Sequence, residues 1–143
     1  MLKNIDPLLN AELLQVLAAM GHGDDLALVD RNFPSAANAR RLVRLSGIDV
    51  VTAGRAILSV LPLDSFVEHP ARRMEMVGKP NEIPPVQQEF QKVIDAAEGR
   101  SWPMGSIERF AFYEATRQAY AVVATGEGRG YGCFLLKKGV IFG

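Results

Sequence analysis

Short apolar runs alternate with stretches of helical periodicity along the whole chain, and this alternation restricts the fold more than any other feature. Residues 11–20, AELLQVLAAM, place Leu13, Leu14, Val16, Leu17 and Met20 on one helical stripe. Asn10 is suited to cap that helix, and Gly21 stands where helices commonly stop in the left-handed conformation. DLALV (25–29) is short, apolar and bounded by acids, the pattern of a buried strand. RRLVRL (40–45) is a second strand, and VTAGRAILSVL (51–61) reads as a helix ended by Pro62. RRMEMVG (72–78) alternates like a strand with Met74 and Met76 on one side. VGKPNEIPP (77–85) is the longest loop, and PVQQEFQKVIDAAEG (85–99) is a helix with Pro85 at its start and Gly99 after it. A helix over 107–119 precedes two strands, YAVVATGE and YGCFLLKKGV. Helices alternating with apolar strands predict an α/β layered domain with helices on both faces of one sheet. The last two strands, joined by a short Gly-rich loop, are expected to pair as an antiparallel hairpin and make that sheet mixed.

No repeat, low-complexity tract or linker divides the 143 residues, so residues 1–143 form one domain of a size that supports a real core. Sixteen basic residues balance sixteen acidic ones, which leaves no overall field to attract nucleic acid or an anionic membrane. The basic clusters RNFPSAANARRLVR and KPNEIPPVQQEFQK are broken by apolar or acidic residues and read as solvated faces. Cys133 is the only cysteine, so no intrachain disulfide can form. MLKNIDPLLNAELL lacks the pattern of a secretion signal, and no run approaches the roughly 20 apolar residues of a membrane span. The expected location is the cytoplasm.

His22 lies between Gly21 and Gly23 in the connection between the first helix and the first strand. Glycines on both sides let another molecule approach the imidazole closely, and a histidine near neutrality suits proton transfer. Asp24, Asp25 or Asp30 could orient or charge the ring. A polar loop residue beside a helix end is the alternative, and both remain open on the residues alone. A metal site is not expected, since His69 has no ligand spacing to His22 and Cys133 has no CxxC partner. Asp30 ends the first strand, where ligands gather in open α/β sheets, and its carboxylate could accept from vicinal sugar hydroxyls or close an Asx turn. In IERFAFYEATRQAY, Arg109, Tyr113, Thr116 and Tyr120 share one helical stripe. Arg109 near a helix start opposes the macrodipole, which hints at a task for its guanidinium, though a pairing with Glu108 would explain it as well. TGEGRGYG (125–132) lacks the ending of a phosphate-binding loop and precedes a strand, so it reads as a turn.

MGHGD, then D.NFP, then RFAFYE, and finally YG…LLKKGV occur in that order, together with LPLDSFVE, over nearly the whole chain. This combination resembles the ribose pyranase and fucose mutarotase family, most closely its fucose mutarotase branch. The resemblance implies a three-layer α/β/α single domain with a mixed β-sheet and ring-shaped homo-oligomers of high order, such as a decamer. It implies interconversion of cyclic forms of a free monosaccharide, L-fucose foremost, with no metal or organic cofactor. It also implies a sugar site at subunit boundaries, with His22 as the acid/base and Asp30, Arg109, Tyr131, Gly132 and Cys133 as substrate-binding residues. Asp64 and Tyr120 are secondary candidates. One residue departs: the fucose branch has Tyr-Gly-Asn where this chain has Tyr131-Gly132-Cys133, and a thiol is a weaker donor and acceptor than an amide. A non-catalytic sugar-binding or regulatory protein on the same scaffold is the competing expectation.

Overall fold

The computed structural model describes residues 1–143. Six strands, β1 (Asp25–Val29), β2 (Leu42–Leu45), β3 (Ala71–Met74), β4 (Gly105–Ile107), β5 (Ala121–Thr125) and β6 (Phe134–Lys137), form one sheet in the order β2-β5-β1-β6-β3-β4. The pairs β1–β5, β2–β5 and β3–β4 are parallel, while β6 is antiparallel to both β1 and β3. Five strands therefore share a direction and β6 alone runs against them, inside the sheet.

The sheet is mixed as expected, but not through a terminal hairpin: β5 and β6 do not pair, because β1 lies between them. The loop 126–133 is committed elsewhere. Gly126 donates its N–H to Ile48 O, and any Cβ on Gly126 would stand 2.1 Å from Ser46 O, so the chain leaves β5 pressed against the β2 exit. Glu127 O then accepts from Arg31 N, which ties the loop to the chain leaving β1. The segment crosses the carboxyl end of β1 instead of turning back.

Helices α1 (Ala11–Ala19), α3 (Val50–Leu58) and α4 (Pro85–Glu98) cover one face, and α2 (Ser35–Asn38) and α5 (Arg109–Gln118) the other. The core on the α1/α3/α4 side holds Leu13, Leu17, Leu26, Ile57, Phe90 and Phe134, and the smaller core opposite is built on Val29, Phe33, Phe112 and Leu135. Alternation along β1 and β6 sends successive side chains to the two cores, giving three layers.

Local chemistry sets the helix ends. Asn10 caps α1 by accepting from Leu13 N at 2.9 Å. At the other end the left-handed residue is Gly23 (φ 86°), not Gly21. Gly21 N instead donates to Asp24 Oδ2 at 2.7 Å, and Lys138 Nζ supplies the last carbonyls of α1, Leu17 O at 2.7 Å and Met20 O at 2.6 Å. Pro85 opens α4 and left-handed Gly99 closes it, as the pattern predicts. Helix α3 is capped by Asp49 and ends at Leu58, earlier than Pro62 suggests. The strand expected over 72–78 stops at Met74, because Met76 pairs with Lys79 across a turn containing left-handed Gly78. Met74 and Met76 therefore do not share a strand.

Gly54, within α3, faces the Phe90 ring of α4 with no room for a side chain. A Cβ there would fall 2.4 Å from Cε1 of Phe90, whose ring stacks on Phe134 at 3.8 Å. Gly54→Ala is expected to destabilise the fold by about 1–3 kcal/mol through overpacking, although alanine favours an isolated helix. Urea unfolding of the two proteins checks this; a stabilised variant would contradict the packing.

Candidate active site

The residues singled out from the sequence separate into two groups at opposite ends of β1. His22 precedes the strand and Asp30 follows it, so at a rise of about 3.3 Å per residue the strand alone holds them about 13 Å apart. They do not touch, and Asp30 is not the residue that charges or orients His22.

At the amino end, the left-handed Gly23 donates its N–H to Lys138 O at 2.9 Å, which fixes the His22 turn on the end of β6. The carboxylate that meets His22 is Asp64: Nε2 stands 3.1 Å from Oδ1. Asp64 is buried and is placed from the same strand end, since its N–H donates to Lys137 O at 3.0 Å and Leu63 bridges Lys138. Phe66 N donates to Asp64 Oδ1 at 3.1 Å, and the Phe66 ring meets the imidazole edge-on with centroids 5.1 Å apart. Burial works to raise the Asp64 carboxyl, but the Phe66 amide, His22 and Lys137 hold it below the ordinary carboxylate range. An ionised carboxylate can only accept, so the proton of neutral His22 resides on Nε2 and its lone pair on Nδ1. The imidazole is half-exposed. The pair is thus an imidazole with an open nitrogen and a buried counter-charge behind it.

At the carboxyl end, Asp30 is buried and its carboxylate already accepts three hydrogen bonds. Oδ1 accepts from Asn32 N at 3.0 Å and Phe33 N at 3.1 Å, and Oδ2 accepts from the Cys133 thiol at 3.3 Å. Burial, and after it the charge of Asp30, push the Cys133 thiol well above its ordinary range, so it stays protonated and donates. Tyr131 stands two residues earlier with φ 62°, a conformation a bulky side chain adopts only when its surroundings impose it. Its hydroxyl accepts from Val77 N at 3.2 Å, and its carbonyl accepts from Gln87 Nε2 at 3.0 Å. A Cβ on Gly132 would stand 3.0 Å from Cγ of Glu127. Burial disfavours ionised Glu127, yet Arg129 outweighs it and keeps the carboxyl below the ordinary range. The Gly-rich loop is therefore an ion-paired crossing segment, longer than the simple turn its glycines suggest.

Arg109 opens α5, directly after Glu108, whose carboxylate caps the helix by accepting from Phe110 N and Ala111 N. Its Nε donates to the Tyr113 hydroxyl at 3.1 Å, and its guanidinium lies beside the Phe110 and Tyr113 rings. The hydrogen bond to Tyr113 raises the Arg109 pKa further, so the guanidinium is a fixed cation. Tyr113 meets Phe33 edge-on at 5.2 Å and so ties Arg109 to the turn held by Asp30. Tyr120 is elsewhere: helix α5 ends at Gln118, and Tyr120 N donates to Asp25 O at the amino end of β1, with Arg41 over its ring at 3.9 Å.

Two residues of this end escaped the sequence reading in different degrees. Tyr113 stood on the Arg109 stripe and could have been promoted, because i,i+4 neighbours meet on a helix. Gln87, completely buried and donating to both Met74 O and Tyr131 O, sits in a helix of unremarkable polarity and left no signal. No set of three His, Cys, Asp or Glu side chains converges in a way that could hold a metal ion. His69 is 3.1 Å from Pro103 O through Nδ1 and lies apart from both groups.

A histidine backed by a buried carboxylate can move a proton, and a group of carboxylate, guanidinium and phenol can hold the hydroxyls of a small molecule. The chain belongs to the RbsD / FucU transport protein family, whose model matches residues 3–141. It is 41% identical over 140 residues to the L-fucose mutarotase of Actinobacillus pleuropneumoniae serotype 5b, covering 98% of this chain and 97% of the relative. Its fold superposes with TM-score 0.96 on protein Atu2016, described as a sugar-binding candidate, at 55% identity over 99% of this chain and 97% of that one. It superposes with TM-score 0.91 on the fucose mutarotase of Streptococcus pneumoniae in complex with L-fucose, at 36% identity over 99% of this chain and all of that one. No helix is long and apolar enough to cross a membrane.

The depressed Asp64 pKa carries a sign. Its stabilising contribution is full above the unfolded value near 3.9 and is lost as pH falls through the lower folded value. The stability gap between the wild type and Asp64→Asn is therefore expected to be wide at pH 6 and to close in acid below about pH 4. Chemical unfolding across that range measures it, and a gap that widens in acid would contradict the assignment.

Proposed function

We propose that the protein is a monosaccharide mutarotase that interconverts the anomers of a free sugar, L-fucose foremost, and that His22 is its acid/base. The observation that carries this reading is the His22–Asp64 pair, with the imidazole half-exposed and the carboxylate buried. Full-length similarity to proteins named fucose mutarotase supports it.

The chemistry fits the residues. Opening a pyranose removes the proton of the anomeric hydroxyl and adds one to the ring oxygen. Both oxygens are bonded to the same carbon, so a single base placed beside that carbon reaches each in turn. His22 takes the hydroxyl proton at Nδ1 as the aldehyde forms and delivers it to the departing ring oxygen. Asp64 stabilises the imidazolium between the two transfers. Rotation of the aldehyde and the reverse transfers give the other anomer. Electrons and groups stay on the sugar, so the reaction calls for no cofactor.

Asp30, Arg109, Tyr131, Gly132 and the Cys133 segment bind the sugar hydroxyls in this reading. Because His22 and Asp30 lie at opposite ends of β1 in one chain, His22 and Asp64 of one copy work with the Asp30–Arg109–Tyr131 cluster of another. A ring of copies, closed head to tail, supplies every site with both halves. The enzyme acts in the cytoplasm on sugar that has entered it.

A second reading, a sugar-binding protein without turnover, is favoured by one observation: the Cys133 side chain is buried and turned onto Asp30, and so offers nothing polar to a ligand. Exchange rates separate the two. NMR saturation transfer on L-fucose, D-ribose, D-galactose and L-rhamnose is expected to show enhanced exchange for at least one sugar. His22→Ala should lower that enhancement by about 10²–10⁴-fold while sugar binding persists. Exchange at the wild-type rate in His22→Ala would overturn the role of His22, and binding without exchange in the wild type would establish the second reading.

A further inference from the structure

A polar hollow of about 500 Å³ opens beside Asp30, on the α2 side of the sheet, at the carboxyl ends of β1, β2 and β5. Ligands of open α/β sheets gather at this end, and the volume suits a small organic molecule. Its wall carries two guanidiniums, Arg31 and Arg44, and the hydroxyl-bearing residues Ser35, Ser46 and Thr125. Neither guanidinium has a hydrogen-bond or ion-pair partner within the chain, whereas Arg72, Arg117 and Arg129 each meet a carboxylate. Arg31 lies against the crossing loop, where a Cβ on Gly128 would stand 3.2 Å from its Cζ and Nη2. Arg44 projects from β2 on the face it shares with Ala124 of β5, its register partner.

The charge in this hollow is unbalanced. Asp30 is the only acid in the wall, and both its oxygens already accept from the Asn32 and Phe33 amides and the Cys133 thiol. Two unpaired guanidiniums facing a concave polar surface are suited to an oxyanion, because each presents planar donors that match phosphate oxygens two at a time. We propose that the hollow is a phosphate site, taking the group as the free ion or as the phosphate of a sugar. It shares only Asp30 with the proposed sugar cluster and lies at the end of β1 away from the His22 and Asp64 of the same chain. It therefore does not rest on the mutarotase reading.

Calorimetric titration and thermal unfolding of the full chain test it, with sodium phosphate, a hexose 6-phosphate, the unphosphorylated hexose, and sodium chloride at matched ionic strength. Phosphate is expected to bind saturably and to raise the melting temperature beyond the chloride control. Arg31→Gln and Arg44→Gln should each weaken binding by about tenfold or more, and the double variant should abolish it. The double variant should melt where the unliganded wild type does, since both residues are exposed. Tighter binding of the hexose phosphate than of inorganic phosphate would identify a sugar phosphate as the occupant, and the reverse order the free ion. No saturable binding beyond chloride, or equal affinity in the double variant, would overturn the proposal. Because the readout is phosphate binding and not sugar exchange, its failure would leave the proposed activity of His22 untouched.

Discussion

Strand β6 runs against the other five strands of the sheet, and both groups of candidate residues depend on that reversal. Its incoming end carries Tyr131, Gly132 and Cys133 to the exit of β1, where the thiol meets Asp30 and Cys133 O accepts from Met74 N. At the outgoing end, Lys137 and Lys138 accept from Asp64 and Gly23, and the Lys138 ammonium closes α1. A parallel β6 would exchange these ends and part Asp64 from His22. The final strand therefore acts as a ruler: it sets the imidazole and its carboxylate at one edge of the sheet and the Asp30 cluster at the other.

Periodicity and end signals were readable where they are local. Asn10 and Gly99 cap the helices they were expected to cap, and the buried strands stand out as apolar runs. Helix α2 (SAAN) and strand β4 (GSI) were not readable, since each is too short to express a period and neither contains an apolar run. The β5–β6 hairpin was expected because a Gly-rich loop joins the two strands, yet Gly126 serves a close approach to Ser46 and not a tight turn. The partner of His22 was hidden for a similar reason. Asp24, Asp25 and Asp30 are near it in sequence, whereas Asp64 is 42 residues away and reaches it only through β6. Asp24 is occupied by Gly21, and Asp25 lies between Arg72 and Lys137. Family resemblance named Asp64 as secondary; packing makes it the carboxylate in contact.

Cys133 sharpens the view of the carboxyl end. An amide at this position could reach toward a ligand, but the thiol is buried and supplies the third hydrogen bond to Asp30. In the proposed enzyme the side chain at 133 therefore serves the carboxylate, and recognition of sugar hydroxyls falls to Asp30, Arg109, Tyr131 and backbone groups. Tyr113 and Gln87 hold those two residues in turn, one by its hydroxyl and the other by its amide. The left-handed backbone at Tyr131 follows from this arrangement, since its carbonyl and its hydroxyl are both anchored.

The central claim is that one catalytic site draws on two copies of the chain, and subunit complementation tests it most directly. His22→Ala and Arg109→Ala, each inactive alone, would be co-assembled in equal amounts and assayed for L-fucose exchange. The account predicts recovery at about one quarter of the sites, those that receive an intact His22 from one copy and an intact Arg109 from another. Mixed assemblies as inactive as either parent would contradict it, because a site built within one chain cannot be repaired by its neighbour.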